Sequence, residues 1–186
     1  MHLNFILAAA LVGVRTSLAG LIDREFPHLI IPLHQDNPMY PYGTQYYGNI
    51  QIQDGAHQIW TEISFDVPPN VASSCNLAFA FPPGAPWTLS GDESLGPLTF
   101  DVWYISPAMN QSRDAWNQNT RPAVQSWVAN VQVGYDGFVQ IIGGSVSCAK
   151  GQVAQFLLSP GSERSFGLSW FEEANPINGI TYEMWD

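Results

Sequence analysis

The chain has 186 residues, and its 16 Asp and Glu outnumber its 6 Lys and Arg, which gives a formal net charge of −10 at pH 7. Such an acidic chain repels phosphate backbones, and its few basic residues cannot form a basic stripe, so we expect no nucleic acid partner. The length suits one domain with a core of ordinary size.

The N-terminal residues predict a secretory signal peptide. The apolar run Phe5–Val14 is shorter than the roughly 20 residues that a transmembrane helix needs, but it has the length of a signal-peptide apolar region. Ser17-Leu18-Ala19 provides small residues for cleavage, so we place the signal peptide at 1–19 and the domain at 20–186. The alternative is an N-terminal strand or helix of the domain. No later segment is long and apolar enough to span a membrane, so we expect a secreted protein, extracellular or in the cell wall.

The first part of the domain predicts three strands. Residues 26–33 form an apolar run with prolines near both ends, which confines this strand to an edge or makes it irregular. Residues 45–53 and 57–67 both alternate with a period of two, and Asp54-Gly55 between them is a strong hairpin signal. We therefore predict an antiparallel hairpin. In its second strand Trp60 lies on the polar face.

The rest of the domain continues the same pattern. Cys75, Leu77, Phe79 and Phe81 share one face of the next strand. Residues 89–97 and 106–122 are predicted as loops, and the second is the longest segment without a period. Further strands are predicted at 98–105, 124–135, 138–142, 145–149, 153–158, 166–170 and 179–185. About nine to eleven short strands with frequent turn signals predict an all-β fold, a single antiparallel, jelly-roll-like β-sandwich.

The two cysteines, Cys75 and Cys148, favour one disulfide, because an even number of cysteines in a secreted chain indicates pairing. A bond between them would close a loop of about 73 residues, which stabilises the fold by roughly 4 kcal/mol in the chain-entropy model. Two separate buried thiols are the alternative. The spacing does not match a zinc site.

Several short motifs occur in an order and spacing that resemble a known family. They are Phe26-Pro27-His28-Leu29-Ile30-Ile31-Pro32, Asn37-Pro38, Tyr42-Gly43-Thr44, Tyr47-Gly48, Phe65-Asp66-Val67-Pro68, Cys75-Asn76-Leu77-Ala78-Phe79-Ala80-Phe81-Pro82, Asn175-Pro176 and Gly179-Ile180-Thr181-Tyr182. Over essentially the whole mature chain, the sequence resembles the fungal But-two C-terminal-domain family, named for a "ubiquitin 3 binding protein". The resemblance implies a fungal, secreted, all-β protein. The family name implies contact with an activating enzyme of a ubiquitin-like protein, a partner in a different compartment from a secreted chain. The resemblance supplies no catalytic residues.

Aromatic residues are the most informative candidates for binding. The chain has 7 Trp, 7 Tyr and 10 Phe, and flat aromatic faces can stack on sugar rings. Trp60 and Trp116 are the preferred ligand-binding candidates, with core or edge packing as the alternative for each. Other aromatics in loops or on mixed faces are Trp87, Trp103, Trp127, Tyr40, Tyr42 and Tyr46.

Titratable residues give weaker signals. His28 and His34, with Asp36 or His57, have the residue types of a metal site, but separate surface histidines are the favoured interpretation, and we predict no metal and no cofactor. Pairs of carboxylates can hydrolyse glycosides when they lie about 5–9 Å apart. Asp66, Asp92, Glu93, Asp101, Glu172 and Glu173 are available for such a pair. No nucleophile motif or phosphate-binding loop is present, and we predict no catalytic residues.

Asn110-Gln111-Ser112 is a sequon for N-glycosylation in the long polar loop. Taken together, the sequence favours a secreted, non-enzymatic β-sandwich protein of the fungal cell wall or its surroundings, with cell-wall polysaccharide or an extracellular protein as partner. A carboxylate-dependent glycoside hydrolase and a secreted protein-binding module or effector are the alternatives.

Overall fold

The computed structural model describes residues 19–106 and 108–186, and these residues form an all-β fold. The predicted signal peptide lies outside the described residues, apart from Ala19. In chain order the strands are β1 (Leu21–Glu25), β2 (Leu29–His34), β3 (Tyr47–Gln53), β4 (Ala56–Asp66), β5 (Ser74–Ala80), β6 (Trp87–Gly91), β7 (Leu98–Ser106), β8 (Ala123–Val133), β9 (Val139–Gly143), β10 (Ser145–Val146), β11 (Val153–Pro160), β12 (Phe166–Phe171), β13 (Glu173–Ala174) and β14 (Ile177–Trp185). One 3₁₀ turn, Glu93–Leu95, precedes β7.

The strands form two antiparallel sheets. The larger sheet has nine strands in the order β6-β12-β3-β4-β11-β7-β8-β9, with β2 paired to β4 as well. The smaller sheet has five strands in the order β1-β14-β5-β10, with β13 paired to β14. The main core combines buried side chains of both sheets, such as Phe65 and Phe156 from the larger one and Leu77 and Tyr182 from the smaller one. The sandwich buries these apolar faces against each other.

The predicted hairpin is confirmed by the pairing of β3 with β4, in which Gln53 lies opposite Ala56. Asp54 and Gly55 both have positive φ angles, 51° and 71°, as the two central residues of a tight hairpin turn require. The predicted edge position of the proline-containing strand is also confirmed. Among the described residues, β2 pairs with β4 alone, so its other edge is open. On that open edge the missing N–H of Pro32 removes no hydrogen bond to a neighbouring strand.

The predicted disulfide is confirmed, with Cys75 and Cys148 bonded and their Cα atoms 5.3 Å apart. Cys75 lies on β5 and is buried, whereas Cys148 follows the short strand β10. Because β10 pairs with β5, the bond secures the end of the smaller sheet, where the ladder is only two residues long.

The all-β, antiparallel class is confirmed, and the described residues form fourteen strands, more than the sequence indicates. The additional strands are β1, β6 and β13, all short, and β6 replaces part of the loop predicted at 89–97. In the described residues β6 pairs with β12 alone, at the margin of the larger sheet. Trp87 and Leu89 pack against the main core and alternate with the exposed Thr88 and Ser90. This alternation contains only two apolar residues and leads into a segment rich in Ser, Gly, Asp and Glu, so it gives a weak strand signal.

Candidate functional site

The outer face of the larger sheet, which points away from the main core, carries a row of side chains across five strands. Ile31 pairs with Glu62, Glu62 with Leu157, Leu157 with Trp103, and Trp103 with Trp127. Residues that pair directly across strands project to the same side of a sheet. The row therefore runs from β2 through β4, β11 and β7 to β8, from an apolar end to an aromatic end.

Residues 108–122 cover one half of this outer face, and we call this segment the cover loop. Beneath it lies a second apolar cluster, separate from the main core, that consists of Ile31, Leu33, Ile105, Met109 and Leu157. At its edge the rings of Trp60 and Trp116 lie 4.5 Å apart between centroids, at an angle of 55°. The guanidinium of Arg121 stands 5.0 Å from the ring centroid of Trp60, and Arg121 Nε donates to the carbonyl of Trp116 at 3.2 Å. These contacts attach the cover loop to β4.

Polar groups are also buried under the cover loop. Gln155 links the loop to the sheet, since its Oε1 accepts from Met109 N at 3.1 Å and its Nε2 donates to Ser64 at 3.0 Å. Glu62 and Asp114 are fully buried. Burial raises the pKa of Glu62 to about 8, and the nearby charge of Asp114 adds to the increase. Burial also raises the pKa of Asp114, although a hydrogen bond from the Asn110 amide opposes that increase.

The other half of the outer face is open, and we call its five residues Asp101, Trp103, Trp127, Asn130 and Ser159 the tryptophan face. Trp127 is 47% exposed, whereas Trp103 is partly buried. Asp101 Oδ1 accepts from Asn130 Nδ2 at 3.0 Å and from Trp127 Nε1 at 3.4 Å. Trp103 Nε1 donates to Ser159 Oγ at 3.1 Å. The hydrogen bonds hold both indole rings in defined positions.

Two backbone features place Trp127 on this face. The pairing of β7 with β8 shifts register between Val102 and Trp103, so that Val102 lies opposite Ala129 while Trp103 lies opposite Trp127. This bulge brings Trp127 to the same side as Asn130, three residues later, where a regular strand would separate them. Gly143 on β9 leaves room for the ring, because a Cβ there would lie 3.0 Å from it.

A family model, described as the Ubiquitin 3 binding protein But2 C-terminal domain, matches residues 25–176, well over half of the chain. The chain belongs to this family. The match contains both halves of the outer face and the disulfide, and it confirms the family resemblance of the sequence motifs. No curated protein matches the chain. In the described residues of this But2 domain, no helix is long and apolar enough to cross a membrane.

The structure of the But2 domain brings Trp60 and Trp116 together, but it places them at the edge of the covered half, where both are partly buried. Trp60 Nε1 donates to Gln58 at 2.8 Å, and one face of its ring is occupied by Arg121. Of the other aromatics considered from the sequence, Trp127 presents an exposed indole next to fixed polar groups. Tyr40 and Tyr46 are exposed as well, at 61% and 80%, but they lie in the loop before β3.

The histidines considered for a metal site are separated in the structure. His28 lies 3.3 Å from Asp66 at one end of β2, whereas His34 at the other end stacks on Tyr42 with 4.0 Å between ring centroids. His57 instead lies 2.9 Å from Asp36. The described residues contain no group of three His, Cys, Asp or Glu side chains arranged to hold a metal ion.

The carboxylates considered for hydrolysis have local structural partners. Glu172 accepts from Trp170 Nε1 at 2.7 Å and from the amide of Ile180 at 3.0 Å, and burial raises its pKa to about 7 against the effect of these hydrogen bonds. Asp92 accepts from Ser94 and precedes the 3₁₀ turn. Glu93 is the first residue of that turn. Asp66, Asp101 and Glu173 lie on strands, and Asp101 belongs to the tryptophan face.

The carboxyl pair that the structure does bring together is Glu62 with Asp114, which the sequence analysis did not identify. Both groups are buried beneath the cover loop, and the nearby charge of Asp114 raises the pKa of Glu62. Glycoside hydrolysis needs the carboxyl groups about 5 Å apart or more, with the sugar between them. A pair that is fully buried beneath the cover loop leaves no space for a sugar. The alternation of β4 places Glu62 on the outer face, but nothing local in the sequence shows that Asp114 covers it.

Proposed function

We propose that this protein is a secreted, non-enzymatic β-sandwich protein of the fungal cell wall or its surroundings that binds polysaccharide through the tryptophan face. The observation that carries the proposal is the exposed ring of Trp127 beside the hydrogen-bonded Asp101 and Asn130. The apolar face of a sugar ring can stack on such an indole, while its hydroxyl groups bond to the carboxylate and amide next to it.

The charge of the chain restricts the class of polysaccharide. With a net charge of −10, the protein repels polyanions such as polyuronates, so neutral or cationic polymers fit best. β-Glucan and chitin are the polymers that we expect it to bind. The disulfide supports the secretory part of the proposal, because such bonds form and persist in oxidising compartments.

The experiment is a depletion assay with insoluble chitin, β-1,3-glucan and cellulose. We expect the protein to bind at least one polymer, and Trp127→Ala to weaken binding by roughly 5- to 150-fold, since stacking contacts of this size contribute about 1–3 kcal/mol. Phe138→Ala is the matched control, because Phe138 is an exposed aromatic, at 67%, that lies in the turn before β9. Equal loss of binding in both variants, or no binding to any polymer, would contradict the proposal. Release of soluble sugar would contradict its non-enzymatic part.

The family description favours a second candidate, a protein partner. It names a ubiquitin 3 binding protein. A ubiquitin-related protein is therefore the partner to test beside the polysaccharides. If it binds and Trp127→Ala has no effect on that binding, the partner uses a surface other than the tryptophan face.

We also propose that Asn110 carries an N-linked glycan. Asn110 is exposed, and its Oδ1 accepts from Ser112 N at 3.0 Å. Its Nδ2, where a glycan is attached, has no protein partner among the described residues. The secreted protein should lose mass on treatment with an N-glycosidase, and Asn110→Gln should remove that change. An unaltered mass in the secreted wild-type protein would show that the sequon is not used.

A further inference from the structure

Glu62 occupies an unusual position for a charged side chain. It is fully buried in the middle of β4, and its cross-strand neighbours on both sides, Ile31 and Leu157, are apolar. Neither of its carboxylate oxygens accepts a hydrogen bond from the described residues. Leaving a buried carboxylate without donors is costly, so this group is held in its neutral form.

The charged groups that face Glu62 all come from the cover loop, while β2 and β11 contribute apolar side chains. The charge of Asp114 raises the pKa of Glu62, and the charges of Arg121 and Arg113 lower it. Asp114 already has donors of its own, since its carboxylate accepts from Asn110 N and lies 3.4 Å from Arg113. Asp114 is therefore better suited to carry a negative charge, and Glu62, which has no such partners, to stay protonated.

We propose that the cover loop lies on the sheet only while the buried, unpartnered carboxyl group of Glu62 is protonated, and that the loss of this proton opens the loop. Opening would separate Trp116 and Arg121 from Trp60 and expose the second apolar cluster. The proposal concerns the covered half of the outer face, which meets the tryptophan face where Trp103 packs against the second apolar cluster. It makes the covered area of this face depend on pH.

The direction and range of the effect follow from proton linkage. In the open loop Glu62 is in water and ionises near its ordinary pKa of 4.5, whereas in the closed loop its pKa is about 8. Between these values opening releases a proton, so the equilibrium constant for opening rises by up to tenfold per pH unit. Below pH 4.5 and above about pH 8 it no longer depends on this group.

Hydrogen exchange measured by mass spectrometry tests the proposal on the whole protein. We expect protection factors of amides in residues 108–122 to fall by tenfold or more from pH 5 to pH 8, after correction for the intrinsic exchange rates. Amides of the smaller sheet in the same sample report global opening and should remain better protected. Glu62→Gln should remove the pH dependence, because an amide at position 62 is neutral at every pH.

Glu172→Gln is the matched control, since Glu172 is a partly buried glutamate whose pKa is also strongly raised and which lies outside the cover loop. It should leave the pH dependence of the cover loop unchanged. If Glu62→Gln does not fold, Asp114→Asn replaces it. The fall in protection should then end at a lower pH, because the negative charge that raises the pKa of Glu62 is gone. Constant protection of the wild-type loop from pH 5 to pH 8, or the same pH dependence in Glu62→Gln, would overturn the proposal.

Discussion

The free energy of unfolding should decrease as the pH rises from about 4.5 to 8. Glu62 and Glu172 retain their protons in the folded chain up to pKa values of about 8 and about 7, against 4.5 for an ordinary glutamate. Between 4.5 and these values the unfolded chain binds fewer protons than the folded chain. The stabilising contribution of each group is therefore fully present below pH 4.5 and is lost as the pH approaches its folded pKa.

The size of the decrease follows from the two shifts. One pKa unit corresponds to 1.36 kcal/mol, so Glu62 contributes about 5 kcal/mol and Glu172 about 3 kcal/mol at most. The combined effect is comparable with the whole stability of a typical domain, about 5–15 kcal/mol. Local opening of the cover loop lets Glu62 ionise without global unfolding, which makes the measured change smaller than this ceiling.

Urea denaturation at pH 5, 6, 7 and 8 measures the effect. We expect the unfolding free energy to fall by several kcal/mol over this range in the wild-type protein. The double variant with Glu62→Gln and Glu172→Gln should lose most of that dependence, because neither amide titrates. Stability that is flat or increases between pH 5 and pH 8 would refute the assignment of both glutamates as protonated groups in the folded chain.

Two further predictions concern the packing and the cross-link of the sandwich. Gly48→Ala should destabilise the fold by about 2–3 kcal/mol, because a Cβ there would lie 2.1 Å from the ring of Trp170. Gly55→Ala, a control in open space that has only the strain of a positive φ, should lower the urea midpoint less. The double serine variant of Cys75 and Cys148 should lose about 4 kcal/mol of stability in the chain-entropy model, and an unchanged midpoint would show that the loop is already restrained without the bond.

The fold could be predicted from the sequence to the extent that local patterns determine it. The Asp54-Gly55 turn specifies its hairpin by itself, since the two residues adopt the backbone angles that the turn requires. The edge position of β2 follows from Pro32, and the pairing of Cys75 with Cys148 follows from their number. The strands β1 and β13 were not predicted, because short edge strands need no apolar alternation. β6 was not predicted because its short alternation of Trp87 and Leu89 runs into a segment rich in Ser, Gly, Asp and Glu.

The tryptophan face illustrates what a period of two does not reveal. Trp127 and Asn130 are three residues apart, so a regular strand would place them on opposite faces. They share a face because β8 contains a bulge, and the bulge is visible only in the register with β7. The pairing of Trp103 with Trp127 likewise depends on which strands become neighbours. This part of the site therefore could not be read from the residues of one strand.

The covered half of the outer face depends on the segment with the least regular sequence. Alternation correctly places Trp60 and Glu62 on the outer face of β4, and an outer face is ordinarily solvated. Residues 108–122 have no period, yet they supply Asp114 and Trp116, which bury those two side chains. Whether a polar-face residue is a surface residue is thus decided by a distant loop. For the same reason, a change in that loop alters the ionisation of a strand residue that keeps its place in the sheet.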